Sequence, residues 1–253
     1  MAVADRVTNV AGWLRAAGNV VVLTGAGIST DSGIPDFRGP NGVWTKNPRA
    51  EKLSDIRYYM ADPAIRAESW RMRLERSAHR AEPNAGHLAL AELERKGKLQ
   101  TLVTQNIDGL HLAAGSSPER VIEIHGTMRD VVCMSCGDRA PMEVALERVR
   151  AGEADPDCRT CGGILKSATI SFGQSLVAED LERAQLAASA ADILLAIGSS
   201  LGVYPAAYLP AMATRSGGRL VIINAEPTPY DEEADAVFHE PISDLLPEIV
   251  ARV

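Results

Sequence analysis

The chain has 253 residues, 46% hydrophobic and 23% charged, with 26 Lys and Arg against 33 Asp and Glu. That length suits one large α/β domain with an insertion, or two small domains. The net charge of −7 argues against a nucleic-acid binder, and no apolar run approaches the ~20 residues of a bilayer-spanning helix, so neither nucleic acid nor membrane is an expected partner.

Residues 5–17 are amphipathic, are followed by Gly18 and read as an opening helix. The N-terminal stretch lacks the apolar core of a secretory signal. Val20 to Leu23 is a short continuous apolar run, as expected of a strand buried on both faces of a parallel sheet. It leads into Gly25-Ala26-Gly27-Ile28-Ser29, where glycines allow a sharp turn and close approach to a pyrophosphate. The pattern falls short of G-x-G-x-x-G, and alone a plain strand-to-helix turn explains it as well. Asp31 to Gly39, including Asp36-Phe37-Arg38, is too polar and glycine-rich for a helix and reads as an ordered loop able to cover a cofactor. Residues 39–85 hold loops and a helix from about 62 to 80, and 86–96 reads as a further helix.

KLQTLVTQN is a strand ending in polar residues. It opens into Gln105-Asn106-Ile107-Asp108-Gly109-Leu110-His111, where an amide and a carboxylate two residues apart point the same way from an extended end. The VIEIH run ends at His125-Gly126. A lone histidine is usually structural, but at a strand end, beside a glycine and in this company, His125 suits a general base.

All four cysteines of the chain follow as two C-x-x-C pairs, Cys133/Cys136 and Cys158/Cys161. Two disulfides or a redox pair are alternatives, but this spacing makes a tetrahedral thiolate cage for zinc. Gly137 and Gly162-Gly163 supply the tight turns such knuckles need. Four thiolates leave no open position, so this zinc is structural. Reduced thiolates without an export signal point to a cytoplasmic protein.

Residues 178–190 read as a helix. ADILLAIGSSLGV is a strand ending in Gly198-Ser199-Ser200, and GGRLVIINAEPT one ending in Asn224 and Glu226, which could take ribose hydroxyls. The tail from 243 reads as a closing helix with Ser243 as its N-cap. Strands alternating with helices mean an α/β fold, a doubly wound, Rossmann-like parallel sheet with ligands at the carboxyl ends of its strands. Segments 1–38, 86–129 and 167–253 would form this domain, with a dinucleotide as the leading ligand. Segments 39–85 and 130–166 break the alternation and would form a small lobe, a helical insertion plus the four-cysteine zinc module.

Together GAGIS, GIPDFRG, TQNIDGLH, the His-Gly pair, the two C-x-x-C pairs, GSS and N-x-E resemble the sirtuin family, in the family's order, from about residue 12 to 245. The resemblance implies an NAD-dependent protein lysine deacylase. Gly25, Ala26 and Gly27 would hold the NAD pyrophosphate. Asp36, Phe37 and Arg38 would belong to the cofactor loop, with Phe37 shielding the nicotinamide ribose. Gln105, Asn106, Ile107 and Asp108 would line the nicotinamide and ribose pocket, Asn106 and Asp108 with catalytic roles. Gly198, Ser199, Ser200, Asn224 and Glu226 would bind the adenosine half. His125 would be the general base, removing a ribose proton after the weakly nucleophilic acyl oxygen, held close, has attacked C1′.

The family's peptide-binding strand usually reads like K-P-x-V-V-F-F-G-E; here it is Lys166 to Gln174, without the proline and the terminal glutamate. Ile170, Phe172 and Gly173 would still meet an acyl-lysine peptide adding as a strand. Sirtuins preferring dicarboxyl acyl groups carry Tyr-x-x-Arg where this chain has Trp70-Arg71-Met72-Arg73. Trp70 and Arg73 would line the acyl pocket, acetyl-lysine being a competent substrate and succinyl-lysine not greatly better. Two rivals remain on the sequence alone. One is a mono-ADP-ribosyltransferase on the same NAD site. The other is a zinc-bearing, NAD-sensing or nucleic-acid-binding module without turnover, which the acidic balance and the Asn106, Asp108 and His125 set oppose.

Overall fold

The computed structural model describes residues 2–36, 42, 52–77 and 81–253. Phe37 and Arg38 lie outside the described residues.

Six parallel strands form the main sheet: β1 (Val20–Thr24), β2 (Leu99–Thr104), β3 (Val121–Glu123), β7 (Ile193–Ile197), β8 (Arg219–Ile223) and β9 (Ala236–Phe238). Their order is β3-β2-β1-β7-β8-β9. The chain winds outward from β1 through β2 to β3, then returns to lay β7 on the other side of β1. Such a reversal opens a crevice at the carboxyl ends of the two adjacent strands, here β1 and β7.

β1 and β7 are buried along their whole length, which explains their apolar runs. Alternate residues face opposite layers. Val20 and Val22 pack with helix α1 (Val3–Ala16), α4 (Ala85–Arg95) and α9 (Ile242–Ala251) through Leu14, Leu90 and Leu246. Val21 and Leu23 pack with α7 (Ala178–Ser189) and α8 (Leu209–Arg215) through Ala184, Ala188 and Leu209.

A second, antiparallel sheet has the order β5-β4-β6, from β4 (Gly126–Cys133), β5 (Arg139–Pro141) and β6 (Leu165–Thr169). β4 and β6 run across the segment boundaries expected at 129/130 and 166/167. Helix α2 (Ile56–Ala61), α3 (Pro63–Ser77) and α6 (Met142–Arg150) accompany this sheet. Trp70 of α3 is wholly buried here with Val131, Met142, Leu146 and Leu165.

The helix expected at about 62–80 is α3, described from Pro63 to Ser77; the shorter α2 precedes it, and Asp62 separates the two because a proline disfavours helical backbone in the residue before it. Two local expectations change. Residues Ala26–Ser32 form a 3-10 helix, so Asp31 and Ser32 are helical rather than loop. Ser243 is not the cap of α9. Pro241 occupies that position, and the buried Ser243 hydroxyl has no partner among the described residues.

Candidate active site

The crevice between β1 and β7 is closed at its base by two glycine turns locked together. The Gly27 amide donates to the Gly198 carbonyl at 2.8 Å. A Cβ on Gly27 would sit 2.7 Å from Gly198 Cα, and one on Gly198 would sit 2.4 Å from the Ile28 nitrogen. Gly198 also has φ +62, where side chains are disfavoured. Both glycines are therefore demanded by backbone packing, whatever ligand they hold. Ser199 Oγ accepts from the Gln105 side chain at 2.9 Å and from the Leu201 amide at 3.2 Å. The ends of β2 and β7 are thus joined across β1.

Ser29, on the 3-10 helix after β1, is the centre of the polar network. Its hydroxyl donates to Asp108 Oδ2 at 2.8 Å and accepts from the Asn106 amide at 3.1 Å. Asn106 also donates to the Gly25 carbonyl at 3.1 Å, and the Leu110 amide donates to Asp108 Oδ1 at 2.9 Å. Two buried histidines back this cluster, His87 of α4 and His111 of the short helix α5 (Leu110–Ala113). Their rings lie 4.9 Å apart. His111 Nε2 meets the Thr24 hydroxyl at 2.9 Å, and Thr24 donates to Thr104 at 2.8 Å. Burial pushes the His111 pKa down to about 3, with His87 adding to it, and burial lowers His87 against the pull of Asp108. Both rings are therefore neutral at physiological pH.

His125 stands just beyond β3. Its Nδ1 lies 3.0 Å from the Gln105 carbonyl. A carbonyl only accepts, so Nδ1 carries the proton and Nε2 keeps a lone pair. Burial lowers the His125 pKa, and the Gln105 carbonyl partly opposes that. The result is a neutral imidazole with one basic nitrogen available. Glu123, two residues earlier, accepts from Arg129 at 2.6 Å, and burial raises its pKa against the pull of Arg129.

The remaining expected residues are dispersed around this centre. Ala26, Asp36 and Ile107 are half-buried, and Ser200 is exposed. The Asn224 amide donates to the Glu226 carbonyl at 2.7 Å, while the Glu226 side chain is exposed. After β6, the Ile170 amide donates to the His125 carbonyl at 2.7 Å, which ties the expected peptide-binding segment to the expected base. Phe172 and Gly173 are exposed. Trp70 does not reach this surface; it belongs to the small sheet's core. Arg73 donates to Ser167 Oγ at 3.0 Å, its guanidinium 5.6 Å from the Trp70 ring. The β6 carbonyls of Leu165, Ser167 and Thr169 are taken by side chains: Tyr59 OH donates to the first at 2.8 Å, and the buried Lys166 ammonium donates to Ser167 at 3.2 Å and also to Thr169. Burial, with Arg73 nearby, pushes Lys166 down to about 7.

The four cysteine sulfurs lie within 4.8 Å of one another. Cys133 and Cys161 are 3.5 Å apart and Cys136 and Cys158 3.8 Å, so neither pair is a disulfide. A tetrahedron with ~2.3 Å zinc–sulfur bonds has edges of about 3.8 Å. The Ser135 and Cys136 amides donate to Cys133 Sγ, and Gly137 and Gly162 turn at φ +75 and +70. An all-thiolate set of this size fits a structural zinc.

Ser29 and His111 lie in motifs read for their other residues, and His87 lies in a helix, so the sequence gives none of the three a role of its own. Asn84 and His87, three apart at a helix start, were the available signal for one of them: they form a reciprocal cap.

Residues 25–205 match the family model described as the Sir2 family. NAD-dependent protein deacetylase 2 of Streptomyces coelicolor is 54% identical over 231 residues, covering 91% of this chain and 96% of that protein. The NAD-dependent protein deacetylase of Sulfolobus acidocaldarius is 43% identical, covering 100% of this chain and 97% of that one. Among solved structures, one described as the structural basis for the mechanism and regulation of Sir2 enzymes is 39% identical with a TM-score of 0.88, covering 98% of this chain and 97% of that one. A Sir2 bound to acetylated peptide is 33% identical with a TM-score of 0.85, covering 99% and 98%.

Proposed function

The chain belongs to the Sir2 family, and we propose that it is an NAD-dependent protein lysine deacetylase that transfers the acyl group of an acyl-lysine to ADP-ribose and releases nicotinamide. The observation that carries this reading is His125: Nδ1–H held on the Gln105 carbonyl, Nε2 basic, and its own carbonyl bonded to the segment expected to bind the peptide.

NAD, when bound, supplies an electrophilic ribose carbon once its bond to nicotinamide breaks. The chain's own residues do the rest. The Gly27–Gly198 base supports the pyrophosphate turn, and Ser29 fixes Asn106 and Asp108 beside it. His125 Nε2 takes a ribose hydroxyl proton, a contribution typically worth ~10²–10⁴-fold. Ile170, Phe172 and Gly173 receive the peptide. The cysteine cage supports β4 and β6, and segments 39–85 and 130–166 act as one substrate-facing lobe. Arg73 bonds β6 and stands with no carboxylate partner among the described residues, and it is the residue through which an acidic acyl group would be felt.

Incubation of an acetyl-lysine peptide with NAD, read by mass spectrometry, tests the assignment. The expected products are free lysine peptide, nicotinamide and acetyl-ADP-ribose. Nicotinamide release with the acetyl group retained and ADP-ribose added to protein would refute it.

A further inference from the structure

We propose that Arg129 is a positioning residue for His125: its side chain ties Glu123, Thr127 and Gly109 together and so holds the turn that carries the base against the turn that carries Asp108. The inference rests on the deacetylase assignment and deepens it.

His125 sits in the turn between β3 and β4. The backbone fixes that turn to its neighbours. Glu123 is in register with Thr104 of β2, and the Ile124 amide donates to the Thr104 carbonyl at 3.0 Å. The Met128 amide donates to the Ile107 carbonyl, also at 3.0 Å. Gly126, at φ +73, runs so close to the next strand that a Cβ would lie 2.1 Å from the Ala168 carbonyl oxygen.

Arg129 then closes the turn with its side chain. A terminal nitrogen donates to Glu123 Oε2 at 2.6 Å, across six residues, and Nε donates to the buried Thr127 hydroxyl at 3.0 Å. The stem lies on Gly109, the residue after Asp108. A Cβ on Gly109 would stand 3.0 Å from Arg129 Cδ and 3.1 Å from Nε, and the φ of +75 there also favours glycine. One side chain therefore touches β3, the His125 turn and the Asp108 turn.

The local charges need this cation. Burial raises the Glu123 pKa, Arg129 opposes that, and the nearby Asp108 adds to it. Glu123 Oε1 is buried with no hydrogen-bond partner among the described residues, which leaves Oε2 and Arg129 as the anchor. Without the guanidinium, two carboxylates would push apart the two turns that the reaction needs side by side. A base displaced by a fraction of an ångström loses much of its effect, because proton transfer depends on close alignment.

His125 acts after the acyl oxygen has attacked C1′, which gives the test a readout that lost stability does not imitate. Exchange of labelled nicotinamide into NAD, in the presence of acetyl-peptide, reports the earlier step. Formation of free lysine peptide reports the later one. A displaced base slows only the later one.

Both rates and the melting temperature are measured in the wild type, in Arg129→Met, in Arg129→Lys and in the double variant Glu123→Gln with Arg129→Met. In Arg129→Met deacetylation should fall about three- to tenfold, as for one lost hydrogen bond, while exchange stays near wild type. Arg129→Lys keeps a cation against Glu123 and should regain most of that loss. The double variant leaves no stranded carboxylate, so it should recover melting temperature without recovering deacetylation. Exchange and deacetylation falling together overturn the role. So does deacetylation that returns with melting temperature in the double variant, or Arg129→Met at the wild-type rate. If Arg129→Met does not fold, the double variant carries the same comparison of the two rates. A wild type that neither exchanges nicotinamide nor deacetylates overturns the deacetylase assignment itself, a result distinct from active wild type with indifferent variants.

Discussion

Three glycine-to-alanine changes separate backbone strain from crowding at the base of the crevice. Gly97 has φ +75 with nothing within 4 Å of an added Cβ, so alanine there meets strain alone, about 1–2 kcal/mol. Gly27 has no positive φ, but its Cβ would lie 2.7 Å from Gly198 Cα, so alanine meets crowding alone, about 1–3 kcal/mol. Gly198 meets both: φ +62, with backbone atoms of Ile28 and Gly27 at 2.4, 2.7 and 2.9 Å. Backbone on both sides cannot swing aside as a side chain would, so Gly198→Ala should cost about 2–5 kcal/mol. Urea unfolding of the three variants, compared at equal m-value, reads these costs directly. NAD affinity should fall for Gly27→Ala and Gly198→Ala and stay unchanged for Gly97→Ala. If Gly198→Ala costs no more than Gly97→Ala, the two turns are not held in register as described.

His125→Tyr should abolish deacetylation while NAD binding persists; in the wild type the acid limb of kcat/KM should fall at a pKa below 6.5, the ordinary histidine value, because burial lowers that of His125. Cys133→Ala should lose zinc, by elemental analysis, and unfold the small sheet, since metal binding and folding are coupled there. Stability should drop as pH falls from 6.5 towards 3, because over that window the unfolded chain protonates His111 and the folded chain, with a pKa of about 3, does not; the contribution is at most ~1.4 kcal/mol per pH unit, and His111→Gln should flatten the slope in pH-dependent denaturation. Arg73→Met should leave acetyl-lysine turnover within a fewfold of wild type; a strong succinyl-lysine preference that vanishes in this variant would make Arg73 a specificity residue.

What could be read from the sequence was whatever a single segment records. Val20–Thr24 and Ile193–Ile197 are buried on both faces and therefore show as unbroken apolar runs. Their polar ends announce the ligand edge, and the cysteine spacing announces the cage. What depends on two distant segments left no local trace. Trp70 sits at helical spacing with charged neighbours, and only the packing of α3 against α6 and β4 puts it in a core. His87 reads as part of an apolar helix face, and it becomes polar machinery only because the 3-10 helix brings Ser29 beside it. The Gly27 and Gly198 turns each look like a phosphate loop, whereas their meeting is a property of β1 lying next to β7.

Strand β6 ends the small sheet, and an uncovered sheet edge is where like molecules stick to one another. From Leu165 to Ser167 this edge is buried within the small lobe. Here the carbonyls of Leu165, Ser167 and Thr169 are occupied by Tyr59 and by the inward-turned Lys166 ammonium, which closes this stretch to a second copy of the chain. A buried lysine that weakens the fold on its own account thereby guards against aggregation, and Lys166→Met would be expected to exchange solubility for stability.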